Sequence, residues 1–161
     1  MKTLLILYSY HHNNTKKIAN TFAEVLDAKI KKPQQINPED LQKYSLVGFG
    51  SGIYDGKHHK ALLDFADKLP QVINGKVFIF STCGIPVIGM TKEIIVENHS
   101  LLSEKLQSKG YVIIDEFGCT GFNTNSFLKL FGGINKGRPN AEDLKNAEEF
   151  AKKLKQNLSG S

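Results

Sequence analysis

Two hydrophobic patterns alternate along the chain. Short, nearly continuous apolar runs, typical of strands covered on both faces, occupy 3–8, 45–50, 76–80 and 111–117, and a weaker edge-strand signal covers 27–32. Between these runs, apolar residues recur at helical spacing, as at Ile18, Phe22 and Leu26, or at Leu62, Phe65 and Leu69. The pattern predicts strands that alternate with helices.

Several helix boundaries are visible in the sequence. Asn37 followed by Pro38 predicts a short helix, because Asn favours the N-cap and Pro the first helical position. Thr91 suits the start of a long helix that Gly110 ends. Asn140, with Asp143 three residues later, predicts the capping box of a final helix, whose stripe is Leu144, Ala147, Ala151, Leu154 and Leu158.

Five strands, each followed by a helix, predict a parallel sheet with helices on both faces, because right-handed crossovers leave few alternatives. A length of 161 residues suits one domain, expected over 1–158 with a disordered tail at 159–161, and favours an open doubly wound sheet. Ligands of such sheets bind beyond the carboxyl ends of the strands. The segments that follow the strands are therefore the ones to inspect.

Composition and charge narrow the class of protein. The hydrophobic fraction of 40% and the charged fraction of 23% are ordinary for a globular chain. No apolar run approaches the roughly 20 residues of a membrane helix. The apolar run at the N-terminus is too short for a secretion signal, so a cytoplasmic protein is expected. The net charge of +5 comes from lysines mixed with acids, which favours solvated faces over a nucleic-acid site. Cys83 and Cys119 form neither a disulfide framework nor a metal-type pair.

The segment Ser9-Tyr10-His11-His12-Asn13-Asn14-Thr15 follows the first strand and enters a helix. A helix entrance offers unpaired backbone N–H groups to a phosphate, to which short polar side chains can add donors. The alternative is that Asn14 or Thr15 is only an N-cap. No Gly-Lys-Ser/Thr triplet follows, which excludes a nucleoside-triphosphate loop, and the three-glycine dinucleotide fingerprint is missing.

Two further segments follow buried strands. Residues 48–56 carry alternating glycines, which permit close backbone approach to a flat ligand, and Tyr54 can offer an aromatic face. Residues 81–86 begin Ser-Thr-Cys-Gly and can present backbone N–H groups to a ring edge. Each segment has an ordinary alternative, a plain turn with a surface tyrosine in the first case and a Gly-Pro loop in the second.

Together these segments resemble the flavodoxin family over essentially the whole chain, and the run at 133–154 resembles the entry to that family's last helix. The resemblance implies strand order 2-1-3-4-5 and an FMN cofactor. It assigns the phosphate to Ser9, His11, His12, Asn13, Asn14 and Thr15, and the isoalloxazine ring to Ser51, Gly52, Ile53, Tyr54, Thr82, Cys83 and Gly84. His12 and Asn13 stand where the family motif prefers Thr and Gly, although a histidine can also donate to phosphate. Well-known electron-carrier flavodoxins are markedly acidic, whereas this chain is basic, so their partners are not implied.

The expected function is electron transfer between redox partner proteins by a monomer or dimer, with Tyr54 stacked on the ring and no catalytic residue of the chain's own. The alternatives are an FMN-dependent NAD(P)H:quinone-type oxidoreductase and a structural relative without FMN.

A metal site at His11-His12 and His58-His59 is disfavoured, because neighbouring histidines rarely aim both rings at one ion. His58-His59 is expected as an exposed helix start, and His99 is expected at the surface. A phospho-acceptor domain would need acids that Tyr8-Ser9-Tyr10 and Phe49-Gly50-Ser51 do not supply. Residues 118–138 have no period and are expected to form a satellite core, to cover the flavin or to form a partner surface.

Overall fold

The computed structural model of the protein describes residues 1–10, 12–122 and 133–160. Its strands are β1 (Thr3–Tyr8), β2 (Ala28–Lys31), β3 (Leu46–Tyr54), β4 (Lys57–His58), β5 (Gly75–Cys83) and β6 (Tyr111–Thr120). Its helices are α1 (Asn14–Leu26), α2 (Lys60–Asp67), α3 (Lys92–Ser108) and α4 (Ala141–Ser159), with short 3₁₀ helices at Pro33–Gln35, Pro38–Lys43 and Val87–Gly89.

The main sheet has the order β2-β1-β3-β5-β6, and every neighbouring pair in it is parallel. The short strand β4 lies off this path and pairs with the end of β3 in an antiparallel hairpin. When β4 is left out of the count, the order is the predicted 2-1-3-4-5. The predicted open, doubly wound parallel sheet is confirmed.

Each face of the sheet carries its own hydrophobic core. On one face, α1 and α4 cover Leu5, Phe78 and Phe80, with Phe22 of α1 fully buried at the centre. On the other face, α2 and α3 cover residues of alternate parity, including Val47, Phe49, Val77 and Ile79. Because successive strand residues point to opposite faces, a continuous apolar run supplies both cores at once.

The predicted helix starts are confirmed. Asn37 accepts from the Glu39 N–H, Thr91 accepts from the Ile94 N–H, and Asn140 and Asp143 form the reciprocal capping box. The segment after Asn37 is a 3₁₀ helix, in keeping with its shortness. Helix α4 extends to Ser159 with Gly160 at its C-cap, so the structure places Ser159 in the helix rather than in the predicted tail.

The strands extend further than the apolar runs predict. β3 continues through Ser51–Tyr54, β5 through Cys83 and β6 through Thr120. These extensions contain small and polar residues, which lack a strand signal of their own, but they are paired with neighbouring strands in continuous register. Much of what the sequence predicts as loop is therefore the end of a strand. None of the described helices is long and apolar enough to cross a membrane.

Candidate functional site

The strands β1, β3 and β5 end at one edge of the sheet, where the segments that follow them surround a cleft. The cleft is lined by Ser9, Tyr10, Asn14, Thr15, Gly52, Ile53, Tyr54, Thr82, Cys83, Gly84 and Phe122. The parallel arrangement brings the three segments together because carboxyl ends of parallel strands share an edge. Nine of these lining residues were predicted from the sequence, and they come from three separate segments, at 9–15, 52–54 and 82–84. The other two, Tyr10 and Phe122, were not predicted.

The entrance to α1 has an unusual backbone. His12 and Asn13 both have φ of 52°, in the left-handed region, and Asn13 occupies the N-cap without a side-chain hydrogen bond to the helix. Asn and His tolerate this region better than most residues other than glycine, which gives a physical reason why the turn needs no glycine here. His11 lies outside the described residues.

The amino end of α1 is suited to an anion. A helix leaves its first N–H groups without intrahelical partners and carries a partial positive charge there. The first turn of α1 contains no acidic residue, and Lys16 and Lys17 stand in it. Ser9 accepts a hydrogen bond from the Lys16 N–H at 3.3 Å, which places its hydroxyl at the helix end.

Two of the predicted donor side chains at this end are engaged inside the protein. The Asn14 Nδ2 donates to the Phe122 carbonyl at 2.9 Å, and the Thr15 and Thr82 hydroxyls are hydrogen-bonded at 2.9 Å in a buried contact. Asn14 and Thr15 therefore tie the α1 entrance to the segment after β6 and to β5. The backbone N–H groups of Asn14 and Thr15, at the start of the helix, are donors that remain for an anion.

Replacing Asn13 tests the importance of its left-handed backbone. Asn13→Ala is expected to lower the free energy of unfolding by about 1 kcal/mol. The Cβ of alanine makes the left-handed conformation unfavourable, and alanine lacks the short polar side chain that makes asparagine more tolerant of it. Asn13→Gly is expected to be within about 0.5 kcal/mol of the original protein, since glycine adopts positive φ readily but loses more entropy on folding. Urea unfolding of the two variants measures the difference. Equal losses in both variants would contradict this account of the turn.

Aromatic side chains form the wall of the cleft on the β3 side. Tyr10 and Tyr54 are nearly parallel, with ring centroids 6.1 Å apart and an interplanar angle of 14°, and Tyr10 is 62% exposed. Tyr8 stacks on His59 at 4.0 Å behind them. Burial, and next the neighbouring Tyr10 and Tyr8, raise the pKa of Tyr54 to about 12, so its phenol stays protonated at neutral pH. Of these four rings, Tyr10 and Tyr54 line the cleft and present aromatic surface to it.

The glycines of β3 serve two different purposes. A Cβ placed on Gly48 would lie 2.5 Å from Phe78 Cζ, and one placed on Gly50 would lie 2.6 Å from Phe80 Cδ2. These two glycines therefore make room for the core rings of Phe78 and Phe80. The prediction that the alternating glycines serve close approach to a ligand is wrong for Gly48 and Gly50. Gly52 is the glycine of this series that lines the cleft.

The end of β5 supplies Thr82, Cys83 and Gly84 to the cleft. Cys83 is 7% exposed, and burial raises the pKa of its thiol. Burial likewise raises the pKa of the Cys119 thiol. A thiol is a poor nucleophile compared with a thiolate, so Cys83 acts here as a small wall residue.

The structure corrects two predictions about histidines and shows how Ser51 is placed. The Ser51 side chain is fully buried and bonds to His58 below the cleft, so the predicted contact of Ser51 with the ring stays a prediction for its backbone. His58 and His99 are 1% and 0% exposed, so the predictions of an exposed helix start and a surface histidine are wrong for them. His59 does cap α2, because its Nδ1 accepts from the Ala61 N–H. The sequence carried one signal of this burial, since His99 shares a helical stripe with Ile95, Leu102 and Leu106.

The irregular segment from 118 to 138 falls only partly within the described residues. Gly118–Thr120 end β6, the Phe122 ring packs 4.5 Å from the His12 ring, and the Asn135 Nδ2 donates to the Ile85 carbonyl at 2.7 Å. The part of this segment at 123–132 lies outside the described residues, and so do the predictions made for it. Within the described ranges, no three His, Cys, Asp or Glu side chains are grouped so that they could hold a metal ion.

Comparison with known proteins agrees with this geometry. Residues 5–120 match the sequence profile of the flavodoxin domain. An uncharacterized protein from Methanocaldococcus jannaschii is 47% identical over 157 residues, which cover 98% of this chain and 100% of that protein. A flavodoxin from the domain Archaea has a TM-score of 0.66 at 13% identity, covering 99% of each chain. A Fusobacterium nucleatum flavodoxin bound to flavin mononucleotide has a TM-score of 0.66 at 14% identity, covering 98% of this chain and 99% of its own.

Proposed function

The chain belongs to the flavodoxin family, and from this premise we propose that it binds FMN in the cleft and carries electrons between redox partner proteins. One observation supports the proposal best: a helix N-terminus suited to an anion and a cleft lined by aromatic side chains lie together at one edge of the sheet. The FMN bound to the structurally similar Fusobacterium nucleatum flavodoxin is consistent with it.

The chemistry of the cleft fits FMN at both ends of the cofactor. The backbone N–H groups at the start of α1 and the Ser9 hydroxyl suit the phosphate, and Lys16 and Lys17 add positive charge nearby. Tyr54 suits the ring, because a flat apolar ligand packs well on a neutral phenol face. Tyr10 and Tyr54 lie closer together than the roughly 7 Å that two stacked contacts would need, so we expect Tyr10 to move aside when the ring enters.

The protein's contribution is to bind and surround the cofactor, which supplies the redox chemistry when bound. The backbone of Thr82–Gly84 can face the polar edge of the ring while Tyr54 covers its face. The lining residues include no carboxylate and no lysine or arginine, so the described cleft offers no charged side chain to an added electron. An apolar, aromatic surround disfavours negative charge on the ring and thus lowers the potential of a step that creates it.

A carrier is preferred to an enzyme because the described cleft holds no candidate acid–base pair and no reactive thiol. We propose a cytoplasmic protein that acts as a monomer or dimer, with proteins as its partners rather than nucleic acid or a membrane. The net charge of +5 favours partners with an acidic or neutral docking face over basic ones.

The proposal is tested by incubating the purified protein with FMN, desalting it and recording its absorbance. The expected result is a retained, shifted flavin band that dithionite bleaches readily and NAD(P)H bleaches slowly or not at all. A colourless protein would overturn FMN binding. Rapid NAD(P)H oxidation with a quinone acceptor would instead support the oxidoreductase alternative.

A further inference from the structure

Two buried histidines face each other beneath the cleft. His58 on β4 and His99 on α3 have ring centroids 4.9 Å apart, tilted by 36°. Each bonds to a serine at 2.8 Å, His58 through Nδ1 to Ser51 and His99 through Nε2 to Ser81. Ser51 and Ser81 are register partners on β3 and β5, each one residue before a residue that lines the cleft. The pair thus connects the bases of the two segments assigned to the ring.

The hydrogen bonds of Ser51 favour one tautomer of His58. The Ser51 hydroxyl lies 2.7 Å from the Gly52 carbonyl, to which it can donate, and accepts from the His59 N–H at 3.0 Å. With its one proton directed at that carbonyl, the hydroxyl accepts at its third contact. This arrangement favours the neutral His58 that carries its proton on Nδ1 and donates it to Ser51. This set of bonds, which we call the Ser51 clamp, fixes Gly52 and the turn back through β4.

The opposite nitrogen of His58 has no place for a second proton. Its Nε2 is buried and has no hydrogen-bond partner among the described residues. Among the described residues, the titratable groups in contact with the pair are the two imidazoles themselves and Glu116 of β6, whose Oε1 lies 3.4 Å from His99 Nδ1. From β3 and β5 the pair meets the serine hydroxyls, and on the α2 side His59 directs its Nδ1 to the Ala61 N–H. Burial, and next the nearby His99, hold the pKa of His58 well below its usual value.

We propose that His58 is a positioning residue for the FMN ring: it holds the Ser51 clamp, and thereby the shape of Gly52–Tyr54, only while its imidazole is neutral. This inference rests on the FMN-binding function proposed above. A protonated His58 would bury an Nε2–H that has no acceptor among the described residues, and burying an unpaired charged donor is costly. Protonation therefore requires the hairpin of β3 and β4 to open and loosens the ring segment.

The sign of the pH effect follows from this linkage. The open hairpin exposes His58, which then has a pKa near 6.5, whereas the closed hairpin keeps the pKa well below that value. The stabilising contribution of neutral His58 is complete above pH 6.5 and is lost as the pH falls toward the lower value in the closed form. The opening equilibrium of the hairpin is expected to increase by up to about tenfold per pH unit below 6.5.

Hydrogen exchange of the His59 amide in the FMN-free protein measures the clamp directly, because this N–H donates to Ser51. After correction for intrinsic exchange, the wild-type protection factor is expected to fall by about tenfold or more between pH 6.5 and 5.0. His58→Asn keeps a donor near the Nδ1 position but cannot be protonated, so its protection is expected to change much less. Imidazole ¹⁵N shifts should show the Nδ1–H tautomer. An Nε2–H tautomer, or the same pH dependence in both proteins, would overturn the proposal.

Binding of FMN then separates this proposal from the previous one. At pH 7.5, His58→Ala is expected to weaken FMN binding about tenfold, as for one lost hydrogen bond, while His58→Asn stays within about threefold of wild type. Val77→Ala, a core change on the same face of the sheet, controls for lost stability and should retain wild-type affinity. Wild type that does not bind FMN would refute the proposed function. Wild type that binds, with His58→Ala binding equally well, would refute the role of His58 alone.

If His58→Ala does not fold, the FMN dissociation rates of wild type and His58→Asn test the proposal without it. The FMN dissociation rate of wild type is expected to rise below pH 6.5 by more than that of His58→Asn, by about threefold or more at pH 5.5. Ionisation of the FMN phosphate affects both proteins alike and cancels in the comparison. Equal rates at every pH would contradict a role for His58 in holding the ring segment.

Discussion

Replacing Gly50 with alanine is expected to lower the free energy of unfolding by about 3 kcal/mol, the upper end of the usual cost of overpacking a core. A Cβ at this position would overlap the Phe80 ring, with Cδ2 only 2.6 Å away. Phe80 is fully buried and packs edge-to-face against Phe22 at 5.1 Å, so the ring has little freedom to move. Since β3 lies at the centre of the sheet, its backbone cannot easily shift either.

Urea unfolding of the Gly50→Ala protein measures this loss. Gly89→Ala is the matched control, because among the described residues a Cβ there would meet only Ile85 Cδ1 at 3.6 Å, an ordinary contact. Gly50→Ala combined with Phe80→Leu should recover part of the stability by making room for the methyl group. A Gly50→Ala protein as stable as Gly89→Ala would show that the close packing of β3 against Phe80 is incorrect.

The Tyr54→Ala protein is expected to bind FMN about thirtyfold more weakly than wild type, because it loses an aromatic contact that covers the ring face. Tyr54 is the aromatic residue of β3 that lines the cleft, and its raised pKa keeps it a neutral phenol. Tyr54→Phe preserves the face without the hydroxyl and should bind within about threefold of wild type. Quenching of FMN fluorescence on titration measures all three affinities.

Two further measurements make the Tyr54 result specific. The free energy of unfolding of the FMN-free proteins should be similar for wild type and Tyr54→Phe. The same measurement on Tyr54→Ala shows how much of its lost FMN affinity comes with a loss of stability. The midpoint potentials of the bound flavin should change in Tyr54→Ala, because water then reaches the ring face. An alanine variant with unchanged affinity and unchanged potentials would exclude stacking by Tyr54.

The sequence predicts most of the fold because the signals that specify it are local. The buried strands are continuous apolar runs, so β1 is predicted to the residue. Caps such as Thr91 and the Asn140–Asp143 pair act through their nearest neighbours in sequence, and they too are visible without the structure. The parallel order follows once the alternation of strands and helices is recognised.

The parts that the sequence does not reveal depend on long-range contacts. Gly48 and Gly50 look like part of a ligand-binding glycine series until Phe78 and Phe80, thirty residues later, are seen to occupy the space beside them. Asn14 and Thr15 have the residue types of phosphate donors, but their side chains bond to Phe122 and Thr82. A buried histidine needs partners from other elements, and local sequence does not show them.

The amino end of α1 is proposed to hold the phosphate of FMN, and a parallel titration with FMN and riboflavin measures the contribution of that phosphate to binding. Riboflavin presents the same ring without the phosphate, so the two ligands differ only at the α1 end of the cleft. FMN is expected to bind at least about 100-fold more tightly than riboflavin, since charge-assisted hydrogen bonds to the helix end are lost with the phosphate. Equal affinities, or no quenching of either ligand at micromolar protein, would contradict the account.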